Sequence, residues 1–458
     1  MGFSTIQLIY YLAALGVMVW MMWRYRQSLF LLLLLLLAFN GPLSYFLPSG
    51  PQMMRVVTTV LATVLLWKHQ VFRYWDNIKE LVVLFALLSV YFLWTSVFTW
   101  GDKLLFVFGQ YSKLYVPFAC YLIFNVWMRK SPKSLDVVNN MFKELIYIQV
   151  ATAVVKAVLL RFSFYEGMVG TFGQPQGGGA GTSFPLVALA WICLNTNMNI
   201  RGWKSWLFLA GLLLIGIMTG KRAVVVLFPL FFIIFALYVA RKKYPRMVMA
   251  IFMMAPLLFY LGLRLTPTLN PENKVWGSFD LDYALNYGKE YSMGETDQDG
   301  NREKGVGRVG ATLLMIDWIK DVDNYDTHSW IGHGVERIYA TNDFEHYYDK
   351  DYNFGINHRG SMTGIVMWYL AFGLVGLTIF MLYNWFFFKQ VRYQRLRVVL
   401  FGMAMFDFIL YNAQVIRDPF VCVLMIFILY YAQLKYTRKG TYIVNTNLLS
   451  HQNYHYHA

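Results

Sequence analysis

The chain has 458 residues, of which 58% are apolar and only 14% are charged, and its mean hydropathy is +0.44. A soluble protein needs roughly 25% charged residues to cover its surface, so this composition excludes an ordinary soluble domain and favours an integral membrane protein. The net charge of +15 does not indicate a nucleic-acid-binding protein, because no polar domain carries aromatic residues interleaved with basic ones.

Thirteen predominantly apolar segments follow one another along the chain and predict an all-α, polytopic membrane protein. Most are close to the length of about 20 residues with which an α-helix crosses a bilayer. The segments lie near residues 5–23, 28–47, 53–67, 81–100, 104–127, 138–160, 181–197, 204–220, 223–240, 247–264, 362–388, 397–414 and 419–434. Because the third and seventh segments are short, the prediction is 12 or 13 transmembrane helices.

Seven basic connections between the segments predict the orientation of the chain. They are WRYRQ, KHQVFRYWDNIK, MRKSPK, IRGWK, RKKYPR, KQVRYQRLR and KYTRK. All seven fall on one side of a 13-helix arrangement, and cytoplasmic loops are the ones enriched in Lys and Arg. The N-terminus is therefore predicted to lie outside the cytoplasm and the C-terminus inside it.

The charge is distributed unevenly, and this predicts one large extracytoplasmic loop. Residues 265–360 hold 17 acidic residues against 9 Lys and Arg, a net charge of −8, whereas the rest of the chain carries +23. The predicted organisation is ten transmembrane helices in residues 1–264, a loop with short helices at 265–360, and the last three helices at 361–436. A cytoplasmic, disordered tail is predicted at 437–458.

Two polar motifs lie on the predicted outer face in the first two thirds of the chain. GTFGQPQGGGAGTSFP, from Gly170 to Pro185, offers backbone for close approach to a ligand and the amides of Gln174 and Gln176 for binding it. TGKRA places Lys221 and Arg222 outside, against the usual charge bias, where they would hold an anion such as phosphate. The simpler alternatives are a flexible turn for the first motif and contact with lipid headgroups for the second.

Two further motifs lie in and after the acidic loop. GVGRVGATLLMIDWIKDV predicts an amphipathic helix with Arg308 at its N-terminal end, where backbone N–H groups also favour anions. Its apolar residues are Leu313, Leu314, Ile316, Trp318 and Ile319. GINHRGSM places His358 and its neighbour at the mouth of a span, and a histidine there would accept a proton from a hydroxyl group. A solvent-facing arginine and a solvated loop histidine are the alternatives.

Cations for phosphate and a histidine base on one face indicate transfer of a sugar from a lipid-linked diphosphate to a sugar hydroxyl. Arginine, rather than a metal ion, is predicted to neutralise the leaving diphosphate, so we expect a metal-independent reaction without a cofactor. The motifs typical of soluble nucleotide-binding proteins and hydrolases, such as the Walker A and GxSxG patterns, are absent from the sequence.

In their order and predicted topology, the four motifs resemble the O-antigen ligase and O-antigen polymerase superfamily of bacterial envelopes. The resemblance covers residues from about 165 to 380, including the Gly-x-Gly of WIGHGVERI and the Gly-Leu-x-Gly of FGLVGL. The sequence departs from the family pattern in having QPQ in place of an Asn-Pro-Asn-like element. It also has Arg359 after His358 where Asn is common.

The resemblance implies a GT-C-type fold and an inverting mechanism, and it implies roles for named residues. Arg222, Arg308 and Lys221 would bind the undecaprenyl diphosphate of the donor, and His358 would act as the catalytic base. The substrate would also contact Gln174, Gln176 and Arg359. The enzyme would lie in the bacterial inner membrane with a periplasmic active site.

The acceptor distinguishes two versions of this function. A polymerase extends another lipid-linked glycan, whereas a ligase transfers glycan to the phosphate-rich lipid A core, which the acidic loop disfavours. A transporter or flippase is the alternative from another class, with Lys113, Glu144, Lys156 and Asp407 as its intramembrane charges. The expected partners are the glycan donor, the glycan acceptor, the lipid bilayer and, for a polymerase, a chain-length regulator, but no nucleic acid.

Overall fold

The computed structural model describes most of the chain. The described residues are 3–26, 28–47, 50–71, 78–130, 132–159, 169–172, 180–195, 203–219, 222–237, 245–293, 307–340, 362–391, 394–411 and 418–441. Nearly all of their regular structure is α-helix, with short 3₁₀ and π segments, and no β-strand occurs in these ranges. The predicted all-α class is therefore confirmed.

Eighteen α-helices occur in the described ranges. The first eleven are α1 (Phe3–Arg24), α2 (Leu29–Ala38), α3 (Asn40–Phe46), α4 (Gly50–Lys68), α5 (Lys79–Leu93), α6 (Leu104–Lys130), α7 (Pro132–Leu159), α8 (Ser183–Asn195), α9 (Trp203–Met218), α10 (Arg222–Phe235) and α11 (Pro245–Leu265). Four short helices follow: α12 (Leu281–Met293), α13 (Arg308–Lys320), α14 (Thr327–Ile331) and α15 (Val335–Ala340). The last three are α16 (Gly364–Lys389), α17 (Gln394–Leu410) and α18 (Pro419–Thr441).

Several of these helices have the length and composition of membrane spans. Lys79–Thr99, which joins α5 to a π-helical turn, and α16 each suffice to cross a bilayer, and the bent pair α2–α3 is a third if it forms one span. Shorter apolar helices of 10–17 residues lie within α1, α8, α9, α10, α11 and α18. All thirteen predicted apolar segments coincide with a helix or with this bent pair, while the number of spans stays a prediction.

The interior of the bundle is formed by helices from both halves of the chain, including α2 and α6. Every residue of α8 from Ser183 to Leu194 is buried, and α8 packs against α9, α10 and α18. Large apolar side chains on other helices are instead strongly exposed, among them Trp67 (82%), Phe98 (80%) and Met253 (74%). Apolar surface of this kind is unfavourable in water and is what a lipid-facing helix presents.

Pro42 explains the 76° bend between α2 and α3. A continuous helix would need an N–H from residue 42 to the carbonyl of Ala38, and proline has no N–H to donate. The Ala38 carbonyl accepts hydrogen bonds from the Thr171 hydroxyl (2.7 Å) and the Gln149 amide (3.3 Å) instead. The Gly41 N–H donates to the Thr171 carbonyl at 2.9 Å. The break is thus filled by the start of the glycine-rich motif.

Gly373 bends α16 in a similar way, with φ of +64° inside the helix. The bend frees the carbonyls of Leu370 and Ala371, which accept the N–H groups of His333 (2.7 Å) and Gly334 (3.1 Å). A side chain at Gly373 would collide with the backbone of Trp330, and only glycine tolerates this φ without strain. The segment between α14 and α15 therefore packs directly on the backbone of α16.

Candidate functional site

The end of α17 is the point where the predicted motifs meet. Asp407 lies in the last turn of this helix, and Tyr411 directly follows it. The guanidinium carbon of Arg308, the first residue of α13, lies 4.5 Å from the centroid of the Tyr411 ring. Such a cation–π contact contributes about 0.5–2 kcal/mol, depending on how far it is shielded from water. It holds the predicted diphosphate-binding arginine beside α17.

The start of α16 lies at the same point. The N–H of Gly364 donates to the Tyr411 carbonyl at 2.7 Å, and the hydroxyls of Thr312 and Thr363 lie 2.9 Å apart. Both threonines are buried, and Thr363 caps the N-terminus of α16. The N-terminal turns of α13 and α16 are therefore neighbours, and the partial positive charge at two helix N-termini favours an anion nearby.

The glycine-rich motif reaches α17 as well. Ser183, the first residue of α8, donates its hydroxyl to the Asp407 carboxylate at 3.1 Å, and both side chains are buried. Gly181 packs against Thr219 so closely that a larger residue would overlap the threonine side chain. Thr219 follows α9 and stands three residues before Arg222. The end of this motif thus lies beside Thr219, the first residue of the TGKRA sequence.

Lys156 fixes the other end of the glycine-rich motif. Its buried ammonium donates to the carbonyls of Val169 (2.9 Å) and Gly170 (3.0 Å), and it lies 4.6 Å from the centroid of the Tyr10 ring. Backbone carbonyls and an aromatic face are ordinary partners for a buried cation. Lys156 therefore has a structural role in this arrangement, which the sequence alone did not indicate.

A stack of rings lies beneath the bend in α16. His328 and His333 have ring centroids 4.4 Å apart, and the Trp100 ring stacks on His328 at 4.9 Å. The Asp326 carboxylate lies 3.0 Å from His328 Nδ1. Burial, together with the charges of His328 and Arg337, lowers the pKa of His333 to about 4. His333 is therefore neutral at neutral pH, with its ring held inside the stack.

Asp102 anchors α15 to the turn before α6. Its carboxylate accepts the N–H groups of Val335 (2.7 Å) and Glu336 (3.1 Å), which open α15. Burial raises the pKa of Asp102, although the hydrogen bonds from Glu336 and Val335 oppose this shift. Glu336 in turn accepts the N–H of Lys103 at 2.7 Å. The Gly-x-Gly of WIGHGVERI, residues 332–334, is accordingly held by contacts with α16 and, through the start of α15, with Asp102.

The predicted site residues fall into two groups. Arg308 lies at the start of α13, as predicted, and α10 begins at Arg222, whose side chain is outside the described part of the structure. The remaining predicted site residues lie outside the described residues: Gln174, Gln176, Lys221, His358 and Arg359. Their roles stay predictions.

The packed face of α13 differs in part from the predicted one. Leu313, Leu314 and Ile316 are exposed by 45%, 44% and 38%. Trp318 and Ile319 are partly buried against the core, as expected, and the helix also packs through Ala311 and Met315. The small side chain of Ala311 lets α13 pack against α16 and α17. The larger apolar residues were expected to pack because size and hydropathy alone do not show which helical face meets a neighbour.

Residues of α17 were the main omission from the predicted site. Tyr411 belonged to no recognised motif, Ser183 lay in the glycine-rich motif without an expected role, and Asp407 was expected only as an intramembrane charge of a transporter. Glu144, from the same group of charges, pairs with Arg24 at 2.8 Å. A buried acid within an apolar helix was the one available signal for the α17 site.

The expectation of a metal-independent reaction also stays a prediction. The acidic segment contains four Asp-x-Asp pairs, a pattern that can hold a divalent cation, and they begin at Asp280, Asp297, Asp321 and Asp349. Among the residues that the structure describes, no three His, Cys, Asp or Glu side chains are grouped as metal ligands would be. Two of the four pairs lie outside these residues.

No protein-family model matches the chain, and no curated protein matches it significantly. Function is therefore inferred from the residues and from the geometry at the end of α17.

Proposed function

We propose that the chain is a polytopic membrane glycosyltransferase of the GT-C type, acting on the periplasmic side of a bacterial inner membrane. The proposed reaction transfers a glycan from undecaprenyl diphosphate to a sugar hydroxyl, most simply as a repeat-unit polymerase. The proposed 12 or 13 spans are supported by the thirteen apolar segments, each of which is helical in the described structure. The exposed apolar side chains along the outer helices support the same arrangement.

The observation that carries the proposal is the meeting of separate motifs at α17. Arg308 contacts Tyr411, Ser183 contacts Asp407, and Gly181 contacts the segment that leads into Arg222. Residues far apart in the sequence are thereby brought to one end of the bundle. A site for a diphosphate needs converging positive charge, and the two neighbouring helix N-termini add to the charge of the arginines.

In the proposed reaction, the acceptor hydroxyl attacks the anomeric carbon of the donor sugar from the face opposite the diphosphate. A new C–O bond forms as the bond from the anomeric carbon to the diphosphate oxygen breaks. The proton of the hydroxyl passes to His358, and the electron pair leaves with undecaprenyl diphosphate. Arg222, Arg308 and Lys221 would stabilise that leaving group, and Gln174, Gln176 and Arg359 would contact the sugars. The anomeric configuration would be inverted.

The test is to replace Arg222, Arg308 and His358 singly by Ala in the host that encodes the protein. Surface glycan would be separated by gel electrophoresis, and the amount of each variant would be measured in the membrane fraction. Lys320→Ala is a matched control, because Lys320 is an exposed cation at the other end of α13 whose ammonium pairs with Asp317 of the same helix. We expect the first three variants to lose long-chain glycan and the control to keep it.

The products identify the acceptor. A single repeat on the core indicates a polymerase, and a bare core with accumulated lipid-linked polymer indicates a ligase. A normal glycan ladder in all three variants, at normal protein levels, would contradict the glycosyltransferase and favour the transporter.

A further inference from the structure

The outward face of α11 carries a stripe of exposed apolar side chains. Met249, Met253, Leu257 and Tyr260 are spaced by three or four residues, so they lie on one face of the helix. Their exposed fractions are 67%, 74%, 46% and 37%. If the chain spans a membrane as proposed, this is the face of α11 that contacts lipid.

A hydrogen-bonded turn, residues 266–277, continues this face beyond the end of α11. The N–H of Gly277 donates to the Arg264 carbonyl at 3.1 Å, and Arg264 Nε donates to the Gly277 carbonyl at 2.8 Å. The side chain of Asn270 braces the turn by donating to the carbonyls of Thr266 (3.1 Å) and Lys274 (2.9 Å). The turn is therefore held in place by Arg264 at the end of α11 and by the Asn270 side chain within it.

The turn presents Trp276 outward. This residue has a φ of +67°, which is unfavourable for any residue other than glycine, and half of its surface is exposed. The Arg264 guanidinium lies 4.4 Å from the centroid of the Trp276 ring. A strained backbone that keeps a large aromatic side chain at the surface, on an arginine, indicates that the exposed ring has a use.

The same apolar surface runs onto α12. Phe279 contacts Tyr260 of α11, with ring centroids 5.1 Å apart, and is itself 43% exposed. Leu281 and Leu285, one turn apart on α12, are exposed by 41% and 61%. Asn286 and Glu290, one turn apart, occupy a second, polar face of α12, which is also exposed. The helix thus has separate apolar and polar surfaces that both face away from the protein.

We propose that the turn at Trp276 and the apolar face of α12 lie in the outer leaflet of the membrane, at the boundary between phospholipid headgroups and acyl chains. This inference rests on the proposed membrane location. Trp and Arg are suited to this boundary because each combines an apolar body with a polar end. Continuity with the exposed face of α11 favours lipid over a protein partner, and the polar face of α12 meets water.

The location is measured with a fluorescent label on single cysteines. Cys120, Cys193 and Cys422 are first replaced by Ala, and Leu285→Cys, Glu290→Cys or Met253→Cys is then introduced. The labelled full-length proteins are reconstituted into vesicles of phosphatidylcholine and phosphatidylglycerol. Quenching is compared for nitroxide lipids labelled near the headgroup, nitroxide lipids labelled near the chain end, and iodide in the aqueous phase.

We expect the label at residue 285 to be quenched at least about twofold more by the shallow nitroxide lipid than by iodide. The label at residue 290, on the polar face of the same helix, is expected to show the reverse preference. Quenching of residue 285 by iodide alone, while residue 253 is quenched by lipid, would overturn this inference and leave the membrane location intact. Shielding of residue 285 from lipid and iodide alike would show a protein contact and overturn it too. A lack of lipid quenching at residue 253 would contradict the proposed membrane location itself.

Discussion

The guanidinium of Arg308 lies against the ring of Tyr411, with its central carbon 4.5 Å from the ring centroid. Arg308 begins α13 and Tyr411 directly follows α17, which is far from α13 in the sequence, and the Tyr411 carbonyl also accepts the first N–H of α16. Tyr411 thereby ties the start of α13 and the start of α16 to the end of α17.

Replacing Tyr411 should therefore affect the arginine. We expect Tyr411→Leu to weaken binding of undecaprenyl diphosphate by roughly 3- to 30-fold, the equivalent of the lost cation–π contact. Tyr411→Phe keeps the aromatic face and should bind almost normally. Binding is measured by calorimetry on the detergent-purified protein. Equal weakening by both substitutions would show that the ring does not act through Arg308.

Gln149 should stabilise the break between α2 and α3. Its amide donates to the Ala38 carbonyl and to the Thr171 hydroxyl, while its carbonyl accepts the Thr171 N–H. Gln149→Leu leaves buried polar groups without partners, and we expect a loss of about 2–4 kcal/mol in the free energy of unfolding. Thr152→Ala, one turn along α7, is the control, since its hydroxyl bonds only to nearby carbonyls of the same helix. Thermal unfolding in detergent is the measurement, and equal losses in both variants would contradict the prediction.

Gly373 should tolerate no side chain. Gly373→Ala would place a methyl group against the Trp330 backbone at a left-handed φ, and we expect a loss of at least about 3 kcal/mol or failure to fold. Gly402→Ala in α17 is the matched control, because open space surrounds Gly402. Alanine at that position should be neutral or stabilise the protein by up to about 1 kcal/mol. The amount of monodisperse protein after heating compares the two, and a stable Gly373→Ala variant would show that the bend is not required.

The buried ring of His333 predicts acid sensitivity. Its pKa is lowered to about 4 in the folded protein, below the value of about 6.5 in an unfolded chain, so the unfolded state binds the extra proton. The contribution of neutral His333 to the free energy of unfolding is fully present above pH 6.5 and is lost as the pH falls towards 4, with a total on the order of 3 kcal/mol. His333→Asn should flatten the decline in melting temperature over this range, whereas His69→Asn should not. Parallel pH profiles for the wild type and His333→Asn would exclude this contribution.

Much of the helical organisation follows from local sequence. Apolar runs long enough to span a bilayer predict helices wherever they occur, and all thirteen coincide with helices or with the bent pair. A break at Pro42 can also be predicted from sequence, because proline cannot donate the hydrogen bond that a continuous helix needs. The residues that fill the break, Gln149 and Thr171, cannot be predicted in this way, since they come from distant parts of the chain.

The sequence alone determined the all-helical class, the start of α13 at Arg308, and a set of polar motifs between apolar segments. These features depend on hydropathy, helix capping and charge, all of which act over a few residues. Only the tertiary structure decided that the separate motifs meet at the end of α17, that α13 packs through Ala311 and Met315, and that Lys156 is bound by backbone carbonyls. Such contacts depend on which helix faces meet, and residues distant in the chain determine that together.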